Sequence, residues 1–364
     1  MNTTRHYVPV ETLPPLYSQI QFDSYEINTD VRLVPTLRNF FFSRKPNHAE
    51  RFYDKGFDQK LRSVITSFEP EIIQLESLYL ATYIPAIREV TRALVSLRLH
   101  NIEYQIWERL ANDFSTSFKK FYLRDLAARI KRFEQAAWQQ ADVLLAITEA
   151  DAKVVNSCLA EKPVWVVPFG ISRHVNPDKS ASERWVAYHL GAMDWIPNAE
   201  AMTWFLEDVW PELHRELPHL KFYFAGRNMP GSFQKYEKDG VECAGEVPDA
   251  DEFIADKKIL VVPLKSAGGI RIKILEAMAA GKVVVSTKIG MQGIEGATNR
   301  IHFLAAETPP EFIDAIKWVI QNKIEAQELA NNAAQLVQKK YSQQMIMSEL
   351  TSRMENLLTS GNLH

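Results

Sequence analysis

The stretch "LKSAGGIRIKILEAMAAGKVVVS" (264–286) gathers Gly268, Gly269, Arg271, Lys273 and Glu276 into one short run. Paired glycines let a backbone approach a ligand closely, and a helix starting there offers unbonded N–H groups to an anion. Arg271 and Lys273 add full positive charge, and a guanidinium forks well onto phosphate oxygens. Glu276 stands about two turns beyond Gly269, its side chain leaning back toward the helix N-terminus. A carboxylate there can accept hydrogen bonds from a ribose diol one nucleotide-length from bound phosphates. The plainer alternative is an i, i+3 surface pair between Lys273 and Glu276, with the glycines only turning the chain. The apolar neighbours Leu275, Ala277, Met278, Ala279 and Ala280 favour the ligand, because a carboxylate stripped of water needs a partner.

The elements around this run read as parallel α/β units, with β-branched runs alternating with amphipathic stretches from about residue 70 onward. In the first half, strands are expected at 71–75, 93–99, 142–148 and 163–170, with a helix over 125–141 and another from Glu149. A polar, turn-forming segment, 171–184, reads as a linker. In the second half, strands are expected at 185–191, 221–226, 241–245, 258–264 and 282–287. Asn198 is expected to cap the helix after the first of these, and Gly281 to end the helix carrying Glu276. The division is a first domain over 1–170, the linker, and a second domain over 185–341. A last helix, within about 342–364, is able to pack back on the first domain. The fold class is two Rossmann-like, doubly wound parallel-sheet domains. Ligands are expected at the carboxyl ends of the strands, in the cleft between the domains. Neither half has a G-x-G-x-x-G after a strand, which disfavours a dinucleotide dehydrogenase.

A chain of 364 residues is long enough for two cores, and a net charge of −3 gives no reason to expect nucleic acid as a partner. The two cysteines, Cys158 and Cys243, lack metal-ligand spacing and fit a reducing compartment. No apolar run approaches the roughly 20 residues that span a bilayer, and "MNTTRHYVPVE" has no export signal. The expectation is a cytoplasmic protein.

Further segments share one pattern. "GGIRIKILEAMAAGKVVVST", "GAMDWIPNAEAMTWFLEDVWP", "AGRNMP" and "GEVPD" resemble the nucleotide-binding domain of retaining glycosyltransferases with the GT-B fold, family 4 type. "LRLHN", "VLLAITEADA" and "VVPFGI" look like landmarks of that family's acceptor domain and linker. The resemblance covers about residues 70–300. It implies that Glu276 holds the donor ribose and that Gly268, Gly269 and Ile270 cradle the diphosphate beside Arg271 and Lys273. Arg227 matches a basic position near the phosphates, and Val247 one whose backbone reads the base. Gly191 and Asp194 match the cleft-facing loop, and His100 matches a histidine near the anomeric carbon of the donor sugar.

Two departures stand out. The first glutamate of the family's pair would fall at Gly268, which removes one expected contact to the sugar. The chain also begins where the family's opening βαβ unit would already have ended, so the first domain is expected to lack that unit.

The resemblance implies a retaining glycosyltransferase that moves a sugar from a UDP- or GDP-sugar donor to a glycan or lipid-linked acceptor, in bacterial surface polysaccharide or lipopolysaccharide synthesis. Backbone donors and cations at the diphosphate make a metal unnecessary in this reading, and no other cofactor is expected. The alternatives are an inactive nucleotide-binding or scaffold protein and a nucleotide-sugar epimerase of the same fold. The basic, aromatic run "FKKFYLRDLAARIKRF" (118–133) is either a solvated helix face or a peripheral contact with the inner face of a membrane.

Overall fold

The computed structural model describes residues 1–3, 7–12, 19–30, 39, 43, 45–113, 117–159, 161–172, 184–266 and 269–360. The chain forms two compact units, Met1–Val167 with Arg353–His364, and Pro168–Ser352. Most of the segment read as a linker lies outside the described residues. Its first residue, Ile171, is fixed in the second unit by a parallel bridge to Ser342.

The first unit opens with a short parallel pair, Asn2–Thr3 (β1) and Glu26–Ile27 (β2). Its main sheet takes Ile72–Leu75 (β3), Leu94–Leu99 (β4), Val143–Ala146 (β5) and Val164–Val166 (β6) in sequence order, all parallel. Helices Ile84–Val90, Ser117–Gln140 and Glu149–Cys158 are among the connections. Val95, Leu97, Ile130, Trp138 and Leu144 sit in its core. Beneath the helix Glu103–Asp113 lies a buried carboxylate, Glu134, which accepts the Glu103 and Tyr104 amides at 3.0 and 3.1 Å. Those bonds and the helix N-terminus favour the anion, but burial outweighs them and pushes the carboxyl up to about 7.

Two cations of the basic run over 118–133 are engaged within the first unit. Arg129 donates to the Asn39 and Ser43 carbonyls and pairs with Asp125, while Lys131 lies over the Tyr104 ring.

The second unit is a six-stranded parallel sheet of Arg184–Leu190 (β7), Phe222–Ala225 (β8), Val241–Gly245 (β9), Lys257–Val262 (β10), Val283–Ser286 (β11) and Leu304–Ala305 (β12), in the order β12-β11-β10-β7-β8-β9. Strands β8, β10 and β11 are buried throughout, as a sheet covered by helices on both faces requires. Phe222 and Phe224 point into one core cluster and Tyr223 into the other, which is the period-two alternation of a strand. From β7 the chain runs outward through β8 to β9, then returns to β10 and runs the other way. The order therefore reverses between β7 and β10, the place where such sheets leave a crevice at their carboxyl ends.

Two helices matter for the site. Ile272–Ala279 ends as its sequence suggests. Gly281 has φ +67°, the Gly281 amide reaches the Met278 carbonyl, and the Lys282 amide reaches that of Ala277, a Schellman closure. Ile196–Trp204 passes through a π-turn at Phe205–Val209 into Trp210–Glu216. Pro211 accounts for the widened turn, since its ring crowds the carbonyl four residues back and it has no N–H to donate.

The loops after β7 and β8 lie almost on top of one another. A Cβ on Gly226 would stand 1.7 Å from the Gly191 carbonyl oxygen, whereas one on Gly231 would meet nothing within 4 Å. Gly226→Ala should therefore cost about 3 kcal/mol or abolish folding of the second unit, while Gly231→Ala stays within about 0.5 kcal/mol of wild type in urea unfolding. A second measurement concerns Glu134. Its folded pKa lies above that of an unfolded glutamate, so the native state loses stability as pH rises from about 4.5 to about 7. Glu134→Gln escapes that loss, and its unfolding free energy from urea titration should rise relative to wild type by on the order of 2 kcal/mol between pH 5 and pH 8.

Candidate functional site

The residues singled out in the second half gather at the carboxyl ends of four neighbouring strands, β10, β7, β8 and β9. After β10 the chain reaches Gly269, whose φ of +73° is left-handed, and enters the helix Ile272–Ala279 at Arg271. Gly268 lies outside the described residues. Ile270 is half-buried against the core. Arg271 is buried, and its guanidinium donates back to the Gly269 carbonyl, so it braces the loop it helps to form. Burial lowers its pKa to about 10, which leaves it charged at neutral pH. Glu276 is half-buried on the same helix.

Lys273 does not stand on the surface as half of a charge pair. Its Nζ lies 3.1 Å from His189 Nε2 and 3.1 Å from Asn198 Oδ1. His189 is a fully buried residue of β7, and its Nδ1 lies 2.8 Å from the Val261 carbonyl of β10. A carbonyl accepts only, so Nδ1 carries the proton and Nε2 is left to accept from Lys273. Burial, then the Lys273 charge, holds the His189 pKa far below its usual value. Desolvation, then the Arg271 charge, lowers the lysine to about 7.

Asn198 corrects an expectation. The helix starts at Ile196, with Trp195 before it and no side-chain cap. Pro197 fits the first turn, and Asn198 is buried inside it, donating to the Ala192 carbonyl at 2.9 Å while its Oδ1 faces Lys273. Gly191 adjoins the same network. A Cβ there would fall 2.7 Å from Asn198 Nδ2 and 3.0 Å from Lys273 Nζ.

Further along the rim, Arg227 is exposed and its carbonyl receives the Met193 amide at 2.9 Å. Asp194, also exposed, accepts from Asn228 Nδ2 at 2.9 Å, and Asn228 itself takes a left-handed φ of +53°. Val247 is half-buried in the turn between β9 and Asp249, which caps the next helix. His100 belongs to the first unit. It follows β4, and its Nε2 lies 2.7 Å from the carbonyl of Glu76 at the end of β3.

The sequence by itself does not mark His189 and Asn198 as parts of the site. The one available signal was a histidine in a strand otherwise rich in apolar residues, "WVAYHLG". Chemically, the rim offers an anion a glycine turn, a charged guanidinium and an amine close to its titration point, with an acid further along the helix.

Comparison with known proteins bears on this rim. Residues 184–322 match the family model described as Glycosyl transferases group 1. An uncharacterized 44.6 kDa protein in the cps region of Klebsiella pneumoniae is 25% identical over 267 residues, which span 70% of this chain and 66% of that protein. Among solved structures, sucrose-phosphate synthase from Thermosynechococcus elongatus is similar with a TM-score of 0.63 at 15% identity, over 84% of this chain and 78% of that one. Anabaena HepE, in complex with UDP, is similar with a TM-score of 0.62 at 15% identity, over 94% and 88%. Residues 184–322 thus resemble a group 1 glycosyltransferase domain, and the likeness to these solved structures shows a two-domain, Rossmann-like fold of the GT-B type.

Proposed function

We propose that the protein is a retaining glycosyltransferase that moves a sugar from a nucleoside-diphosphate donor to a hydroxyl of a glycan or glycolipid, without a metal. The observation that carries this is the meeting of Gly269, Arg271, Lys273 and Glu276 at the switch point of the second sheet, inside the segment matched by the group 1 glycosyltransferase model. The departing diphosphate gains negative charge as the glycosidic bond breaks. Loop N–H groups, Arg271, Lys273 and Arg227 stabilise that charge in place of a divalent ion. Glu276 accepts from the ribose hydroxyls and Val247 lies beside the base. The sequence resemblance also gives His100 a part in positioning the sugar. Retention follows from attack on the face the diphosphate leaves, with a phosphate oxygen taking the acceptor proton, so no protein carboxylate need act as nucleophile.

Solved structures of the same fold accord with the donor class, HepE having been crystallised with UDP-glucose. The relative in a cps region accords with a role in surface polysaccharide synthesis. Among the described residues no helix is long and apolar enough to cross a membrane, so a lipid-linked acceptor would be met at the membrane surface.

The test is binding and turnover of UDP-glucose and GDP-mannose, with and without glycolipid extract. Nucleoside diphosphate should be released only when acceptor is present, and Glu276→Ala should weaken donor binding by about tenfold or more, as loss of charge-assisted hydrogen bonds does. Full donor affinity in the variant refutes the ribose assignment. Binding without transfer indicates an inactive nucleotide-binding protein, and epimerised sugar formed without acceptor indicates an epimerase.

A further inference from the structure

The donor reading leaves one feature unexplained: why Lys273 should be held by two neutral acceptors rather than by an acid. A neutral amine has two N–H groups. Here both have partners, His189 Nε2 and Asn198 Oδ1, each at 3.1 Å. Neither partner is free to change role. The Val261 carbonyl fixes the proton of His189 on Nδ1, and the Ala192 carbonyl fixes the amide of Asn198 with its nitrogen turned away from the lysine. The unprotonated amine is therefore fully satisfied as a donor. A third N–H exists only on the ammonium. On one side of Nζ lies Gly191, where an added Cβ would press on Nζ at 3.0 Å and on Asn198 Nδ2 at 2.7 Å, so the network requires glycine there.

We propose that His189 and Asn198 are positioning residues that hold Lys273 so that donor binding is coupled to the uptake of one proton. The proton, drawn from solvent, goes to the lysine nitrogen, and the resulting third N–H donates to a diphosphate oxygen. The groups facing Lys273 are His189 from β7, Asn198 from the following helix and Arg271 at the head of its own helix, with Glu276 one turn further along. Arg271 and burial disfavour the ammonium while the site is empty, and the diphosphate reverses that balance. The sign follows. An amine that titrates near 7 without donor, and higher with it, makes binding tightest below pH 7 and progressively weaker above it. This inference rests on the donor reading and adds to it a pair of residues and a proton.

The experiment is calorimetry with UDP-glucose and GDP-mannose between pH 6 and 8.5, in buffers of differing ionisation enthalpy. These diphosphodiesters have no phosphate that titrates in that range. In the wild type the dissociation constant should rise by up to about tenfold per pH unit above 7, with net proton uptake near pH 8. Lys273→Met should bind more weakly with a flat profile and no uptake. Asn198→Asp places a carboxylate beside the lysine and should move the break upward by about one pH unit, whereas a merely structural Asn198 would lower affinity equally at every pH. Tight binding with a flat wild-type profile and no proton uptake overturns the coupling and leaves the donor reading intact. A break left in place in Asn198→Asp overturns the role of Asn198, and if that variant does not fold, the contrast between wild type and Lys273→Met decides. Failure of the wild type to bind either sugar nucleotide overturns the donor reading and the coupling with it.

Discussion

Concentrating positive charge where water is scarce is costly, and the carboxyl end of the second sheet does so twice, at Arg271 and Lys273. Arg271 stays charged because a guanidinium is hard to deprotonate, and its bond to the Gly269 carbonyl turns it into a strut for the loop. Lys273 instead sits near its titration point. A diphosphate bound as proposed would relieve both responses to this one desolvated corner.

The sheet explains why the corner exists. Six parallel strands deliver their carboxyl ends to one edge, and the reversal of order between β7 and β10 parts the loops that follow them. The network crosses that seam. His189 from β7 reaches the β10 carbonyl of Val261 on one side and the lysine beyond β10 on the other. Pairing of Ile259 with Ala187 and Leu260 with Tyr188 fixes the register that makes both contacts available. A shift by one residue would turn His189 to the opposite face of the sheet.

Local chemistry was legible in the residues. The edge strand "VECAG", the buried run "KVVVST", the left-handed Gly281 after the Glu276 helix and the turn at Gly269 follow from residue types a few positions apart. Associations across long separations were not. Lys273 lies 84 residues from His189 and 75 from Asn198, and nothing in the spacing announces that they meet. Asn198 reads as a helix cap because asparagine usually caps. Pro197 and the pull of the Ala192 carbonyl and the lysine instead set it within the first turn. The π-turn at Phe205–Val209 escaped for a related reason, since the apolar spacing of Met202, Phe205, Leu206 and Val209 looks continuous and Pro211 acts from outside it.

The contact between Gly226 and the Gly191 carbonyl also has an engineering corollary. Any bulk at the later position displaces the earlier peptide, and with it the surroundings of the amine. Segments 191–195 and 226–228 consequently behave as one piece of rim, stitched by the Met193–Arg227 and Asp194–Asn228 bonds. Transplanting either from a homologue to alter donor preference would leave mismatched halves, so the two must be exchanged in a single graft.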